Sequence, residues 1–293
     1  MKFKAEAEGK RIDVYLFDKF KEYSRSYFQK LIKEGKALVN GRKVSSSHKV
    51  KAEEIIDIEF QEKPKSTFAQ NLPLDIIYED DDVLVVNKPA GMVAHPAYAH
   101  PDGTLVNAVA GYAKGSFAPF LVHRLDKDTS GAIIIAKNTR AKKSLIKQFE
   151  NRSVKKVYRT AVKGNVLPKE GRIEAPLGRS PNDRKKIIVG PLAKKAAVTE
   201  FKTIFHSKKY SLLEVYPITG RTHQIRSHLC YIGHPVLGDK TYGGPESLDG
   251  RVYDRQMLHA FRVSFIHPSK HRRVEFEAKM PADISNIWKE RHE

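Results

Sequence analysis

Scarcity does the first sorting of what this chain can be. It holds one cysteine, Cys230, in 293 residues, which leaves no intrachain disulfide and no cysteine-based zinc site. Cys230 sits in an apolar-periodic stretch and is expected as a buried structural thiol, and a reducing cytoplasm is the expected compartment. No apolar run approaches the ~18 residues of a spanning helix, and none follows the charged N-terminus to make a signal peptide. Walker loop, dinucleotide-binding glycine pattern and Cys/His cluster are all missing, as are internal repeats and low-complexity tracts. His223, His228, His234, His259 and His267 are scattered, and a five-residue step from His223 to His228 suits a metal poorly on a helix. Negative charge is short too: 34 acidic residues face 53 Lys and Arg, a net charge of +19. That excess fits a polyanionic partner bound in a salt-dependent way, and nothing apolar is on offer to a membrane.

What is present supports a real core. The chain is 40% hydrophobic and long enough for one large or two unequal domains. Ala132-Ile133-Ile134-Ile135-Ala136 is a continuous apolar, largely β-branched run, the pattern of a strand buried on both faces. Thr129-Ser130-Gly131 punctuates its start as a turn. A polar loop carrying His123, Arg124, Asp126 and Asp128 is therefore tied to a rigid strand, a common setting for catalytic groups. Asp80-Asp81-Asp82, between two strand-like runs over Ile76–Lys88, reads as an acidic turn, since consecutive residues there point apart. Thr104 and Thr139 are expected to cap helices. Lys155 to Val162 alternates as a strand bearing Tyr158, where the residues alone allow a base-stacking ring or an aromatic filling a sheet. Arg179 to Lys195 holds six basic residues and one acid, a basic hairpin over RNA or a solvated loop.

Arg124-Leu125-Asp126 followed by Thr129-Ser130-Gly131 resembles the signature of the RluA/RluC/RluD class of RNA pseudouridine synthases. Arg11-Ile12-Asp13 has the same shape with no Thr-Ser-Gly after it. The resemblance continues in Asn87-Lys88-Pro89-Ala90-Gly91 with His95-Pro96, in Lys156-Val157-Tyr158, and in Thr219-Gly220-Arg221-Thr222-His223-Gln224-Ile225-Arg226. Gly233 to Asp239 and Leu258-His259-Ala260 complete it, over about residues 72 to 280, with Ser227 standing where an apolar residue is commoner. It implies Asp126 as the nucleophile, Tyr158 against the target uracil and Arg221 paired with Asp126. A guanidinium at a helix start needs a balancing carboxylate, which favours that pairing. It further implies Arg124 in the gap left by a flipped nucleotide, and substrate contacts from His123, Thr129, Lys88 and Arg226.

The first sixty residues form a smaller unit. Ile12, Leu16, Phe17 and Phe20 recur at helical spacing, and Ser24 can cap a second helix carrying Phe28, Leu31 and Ile32 that Gly35 ends. Asn40-Gly41 between two short strand-like runs signals a hairpin. This order is similar to the small RNA-binding module called the S-four domain, departing from it at Glu53-Glu54, where Gly-Asp is usual. Arg11, Arg25, Lys30, Lys33 and Arg42 are its candidate RNA contacts. The segment holds 14 basic and 10 acidic residues, so its charge alone says little.

These expectations assemble into an α+β protein. Residues 1–60 are a two-helix and hairpin module and 61–71 a tether. Residues 72–293 are a catalytic domain on a mixed, mostly antiparallel sheet with flanking helices. Pseudouridine formation breaks the N1–C1′ bond, turns the uracil and joins C5 to C1′. Nothing is oxidised or imported, so neither cofactor nor metal is expected, and a carboxylate, ionised at neutral pH, supplies the nucleophile. A second RNA-binding module suits large-subunit ribosomal RNA, with transfer RNA the alternative substrate. A non-catalytic RNA-binding factor would be favoured by loss of Asp126, Tyr158 or Arg221, all present, and a hydrolase using Ser130 lacks a nucleophile elbow. A monomer is expected.

Overall fold

The computed structural model describes residues 1–6, 8–20, 23, 25–60, 69–96, 102–183, 185–190 and 193–289. The expected cap Ser24, Arg184 of the basic hairpin and residues 61–68 of the tether lie outside them. Contacts divide the chain into two units, Met1–Ser66 and Thr67–Glu293.

The first unit runs β1 (Lys2–Lys4), α1 (Ile12–Lys19), α2 (Arg25–Lys33), β2 (Ala37–Val39), β3 (Arg42–Lys43) and β4 (Ile55–Ile58). Its sheet has the order β1-β4-β2-β3. Asn40 and Gly41 both take positive φ, 49° and 75°, the twist that lets a two-residue turn join β2 to β3. Ile12 and Leu16 of α1 and Phe28, Leu31 and Ile32 of α2 are buried on Ile56 and Ile58 of β4. Phe17, expected in that stripe, is 40% exposed, because five residues from Ile12 is about 140° around a helix. Glu53 adopts a left-handed φ of 66° where the family pattern has glycine. Its carboxylate pairs with Lys4 at 2.7 Å.

The second unit begins with β5 (Ile76–Glu79), β6 (Val83–Lys88), α3 (Leu105–Ala113), β7 (Phe120–Leu121), β8 (Ser130–Ala136) and α4 (Thr139–Glu150). It continues through β9 (Lys155–Lys163), β10 (Glu170–Glu174), β11 (Leu177–Arg179), β12 (Ile187–Val189), β13 (Val198–His206) and β14 (Tyr210–Pro217). It ends with α5 (Gln224–Tyr231), β15 (Ser247–Leu248), β16 (Arg251–Val252), β17 (Leu258–Ile266), β18 (Arg273–Glu277) and α6 (Ala282–Lys289). The main sheet has the order β10-β13-β14-β9-β17-β8-β6-β5, with β18 on β17 and β7 on β8. Among the described residues its one parallel pairing is β8 with β17.

Every residue of β8 is buried. Ala132, Ile134 and Ala136 pack into one hydrophobic cluster and Ile133 and Ile135 into another on the opposite face. Each isoleucine so buried contributes roughly 1.5–3 kcal/mol, so the strand is a stiff base for the loop that feeds it. Ser130 and Gly131, expected in a turn, are instead its first two residues. Gly131 has φ 118°, and a Cβ there would stand 2.3 Å from the Ala260 carbonyl of β17, so only glycine permits this approach. Thr104 caps α3 through a capping box with Asn107. Asn138 caps α4 by accepting from the Ala141 N–H, one residue before the expected Thr139. Asp80 accepts the Asp82 and Val83 N–H groups at 3.0 Å, as an acidic turn should. Among the described residues, no helix is long and apolar enough to cross a membrane.

Candidate active site

The loop between β7 and β8 is held from beneath by two cations. Lys88, at the end of β6, is fully buried. Its ammonium donates to the carbonyls of Pro89, Met92 and Lys127 at 2.7, 2.9 and 3.0 Å. Burial pulls its pKa down to about 7, with Asp128 opposing, and the three carbonyl dipoles favour keeping the proton. Lys88 was expected to touch substrate. Instead all three donors are spent inside the protein, and it anchors the loop. Arg255 donates to the Asp128 carbonyl at 2.9 Å while its other edge pairs with Asp283 at 2.8 Å. Asp126 thus begins a segment whose next two carbonyls each accept a hydrogen bond from a basic side chain, Lys88 or Arg255.

The partner of Asp126 comes from α5. Arg226, third residue of that helix, donates from Nη1 to Asp126 Oδ2 at 3.0 Å. Its Nε and Nη2 grip Asp239 at 2.6 and 2.8 Å, a two-pronged contact. Burial alone would depress the guanidinium's pKa, but Asp239 and then Asp126 hold it above its ordinary value. Arg221, expected in this role, lines the same cavity but donates to the Ala196 carbonyl at 3.1 Å. The reason is local. His223, at the helix start, takes a left-handed φ of 52°, so Arg221 lies before the turn and Arg226 beyond it. The balancing-carboxylate argument holds, for the other arginine. His223 places Nε2 3.9 Å from Asp126 Oδ2 and Nδ1 3.1 Å from the Tyr242 hydroxyl. Burial keeps its pKa below the usual histidine value, against the pull of Asp126.

Around Asp126 opens a cavity of about 570 Å³, walled by the β7–β8 loop, β9 and the turn before α5, a size that suits one small ligand group. Tyr158 lines it, its phenol pushed up by burial and then by the Asp126 charge, so it stays neutral. Thr129 is buried in the wall and ties the loop by donating its N–H to the Asp126 carbonyl at 3.2 Å. His123 accepts the Ile134 N–H at 2.8 Å and stacks on Phe149 at 4.8 Å. Burial, then Lys156, drives its pKa down to about 3, so it forms neutral wall. Arg124 is exposed at the mouth, donating to Thr222 Oγ1 at 3.0 Å. Hence His123, Arg124, Asp126, Thr129, Tyr158, Arg221 and Arg226 share one cavity, and Lys88 does not. Sequence reasoning missed Asp239, Tyr242 and Lys156. An acid thirteen residues after Arg226, in Gly238-Asp239, was the available signal for the first. Among the described residues, no three His, Cys, Asp or Glu side chains converge as a metal-ligand set.

In the N-terminal unit the candidate cations Arg11, Arg25, Lys30, Lys33 and Arg42 are all exposed. Arg11 and Arg25 converge on Asp13, which has no exposed surface, at 3.1 and 2.9 Å. Gln29 donates to the same carboxylate at 2.6 Å. Burial would raise the Asp13 pKa, but these three donors bring it down to about 2. Lys30 stands 3.8 Å from Glu34.

Comparison with known proteins places this geometry. The family pattern described as RNA pseudouridylate synthase matches residues 82–231, and that of the S4 domain, the S-four module above, matches residues 10–56. A protein of Aquifex aeolicus (strain VF5) named uncharacterized RNA pseudouridine synthase is 41% identical, covering 100% of this chain and 98% of that protein. Ribosomal large subunit pseudouridine synthase D of Neisseria meningitidis serogroup B is 39% identical over 96% of this chain and 79% of its own length. Among solved structures, human RNA pseudouridylate synthase domain containing 1 aligns with a TM-score of 0.60 and 30% identity, over 73% of this chain and 86% of that one.

Proposed function

Because this chain belongs to the RNA pseudouridylate synthase family and is an isomerase converting uridine to pseudouridine in RNA, we propose that Asp126 is its nucleophile and large-subunit ribosomal RNA its substrate. The observation that carries the first part is the Arg226–Asp126 contact of 3.0 Å inside the cavity that Tyr158 lines. A carboxylate oxygen held there forms a bond to C1′ as N1–C1′ breaks, and the bonding pair leaves with the uracil. The freed base turns, C5 takes C1′ from the carboxylate, the C5 proton is lost and N1 gains one. The sum is an isomerisation with no other reactant. Tyr158 supplies the face on which the extruded base rests, and the exposed Arg124 takes up the space the base vacates. Support for the ribosomal substrate is the S4 domain together with relatives named for the large ribosomal subunit.

The test is pseudouridine mapping in unmodified large-subunit ribosomal RNA treated with wild-type protein or Asp126→Asn. Wild type should modify discrete uridines, while the variant should bind the RNA and leave every uridine unchanged. Conversion by Asp126→Asn at the wild-type rate would remove the nucleophile assignment. Conversion of transfer RNA alone would remove the ribosomal one.

A further inference from the structure

The cluster of Asp126, Arg226 and Asp239 carries two negative charges and one positive, so a net unit of negative charge sits beside the reacting bond. In the reaction proposed above, that charge does not vanish. When the carboxylate takes C1′, the electron pair of N1–C1′ leaves with the uracil, and the charge moves from Asp126 to N1, O2 and O4 of the base. A cation near the base, rather than near Asp126, is therefore worth more after bond breaking than before it. Only such differential stabilisation accelerates the step.

Three guanidiniums at the cavity, those of Arg124, Arg152 and Arg221, belong to exposed residues and suit phosphates outside. Lys156 is different. It lies on β9 two residues before Tyr158, both lining the cavity, so the two side chains stand about 7 Å apart on one face of the strand. Its Nζ reaches across the cavity to 3.8 Å from where a Cβ on Gly220 would be. Among the described residues no carboxylate lies within ion-pair distance of it, and no hydrogen bond occupies it. The residue is half-buried, and burial lowers its pKa to about 8 with no other cause acting, so near neutrality it remains a partly desolvated cation with no carboxylate to balance it. Keeping such a charge costs stability, which makes an anionic or strongly polarised visitor the natural occupant.

Resting on the proposed Asp126 reaction, we propose that the Lys156 ammonium contacts a carbonyl oxygen of the target uracil and stabilises the uracil anion released when N1–C1′ breaks. It is then a catalytic residue distinct from the Asp126–Arg226 pair.

The experiment compares wild type, Lys156→Met and Lys156→Arg for single-turnover rate at saturating RNA and for RNA Kd. The expected result is a rate about 100-fold lower in Lys156→Met, with Kd within threefold of wild type and a recovery to within tenfold in Lys156→Arg. An unchanged saturated rate in Lys156→Met overturns the proposal. So does a tenfold weaker Kd with a normal saturated rate, the signature of a phosphate contact. If Lys156→Met does not fold, Lys156→Gln against Lys156→Arg asks the same question, and equal rates for those two overturn it. Normal conversion by Asp126→Asn would instead break the nucleophile reading beneath, so the two failures are told apart.

Discussion

In the N-terminal unit a carboxylate with no exposed surface, Asp13, holds two guanidiniums, Arg11 and Arg25, whose side chains are 45% and 47% exposed. Around the catalytic cavity the arrangement is turned inside out. There a guanidinium only 6% exposed, Arg226, is gripped by the fully buried Asp239 and holds Asp126, which is 23% exposed. In both clusters the buried member is scaffold and the accessible member has the task. On the proposed reading, the first cluster presents cations to phosphates and the second presents a carboxylate to the sugar carbon. The same ion-pair chemistry serves two ends, decided by which partner the fold leaves in reach.

The comparison breaks most visibly at Arg226. Arg226→Met leaves Asp126 and Asp239 without their shared cation, and stranding buried charge costs about 3–5 kcal/mol. Urea unfolding should show that loss, and the saturated conversion rate should fall by about a thousandfold. Arg221→Met, in the same octapeptide, should leave stability unchanged and the saturated rate within about threefold. The reverse order would return the pairing to Arg221.

A smaller effect sharpens the other cluster. The Asp13 carboxyl is held down at about 2, from an ordinary 3.8. Its contribution is therefore present above pH 4 and lost as pH falls through 2, amounting to about 2 kcal/mol. Unfolding curves between pH 5 and pH 2 should lose that increment in wild type and not in Asp13→Asn. Parallel curves would show that the three donors do not hold the proton off. Smallest of all, Arg25→Gln should weaken RNA binding by about threefold to tenfold and reduce the salt slope by about one. An unaltered slope would mean that Arg25 meets no phosphate.

Much of this was legible because local chemistry and tertiary context agree. The apolar run of β8, the Asn40-Gly41 hairpin and the acidic turn at Asp80 each follow from a few adjacent residues. What was not legible depends on phase and burial. Arg221 and Arg226 look equivalent in a string, and the left-handed backbone at His223 decides which one faces Asp126. Lys88 reads as a substrate contact until the sheet closes over it and three carbonyls claim its protons. Lys156 differs from the exposed arginines of the cavity only through its surroundings. Asp239 is brought to Arg226 by a loop whose path no periodicity announces.

The most direct test sets the two clusters against each other. RNA Kd and the single-turnover rate at saturating RNA are to be measured side by side for wild type, Asp126→Asn and Asp13→Asn. Conversion should vanish in Asp126→Asn with Kd preserved, and Kd should weaken in Asp13→Asn with the saturated rate preserved. A saturated rate for Asp126→Asn equal to that of wild type would contradict the claim that the partly accessible Asp126 carboxylate is the reacting group.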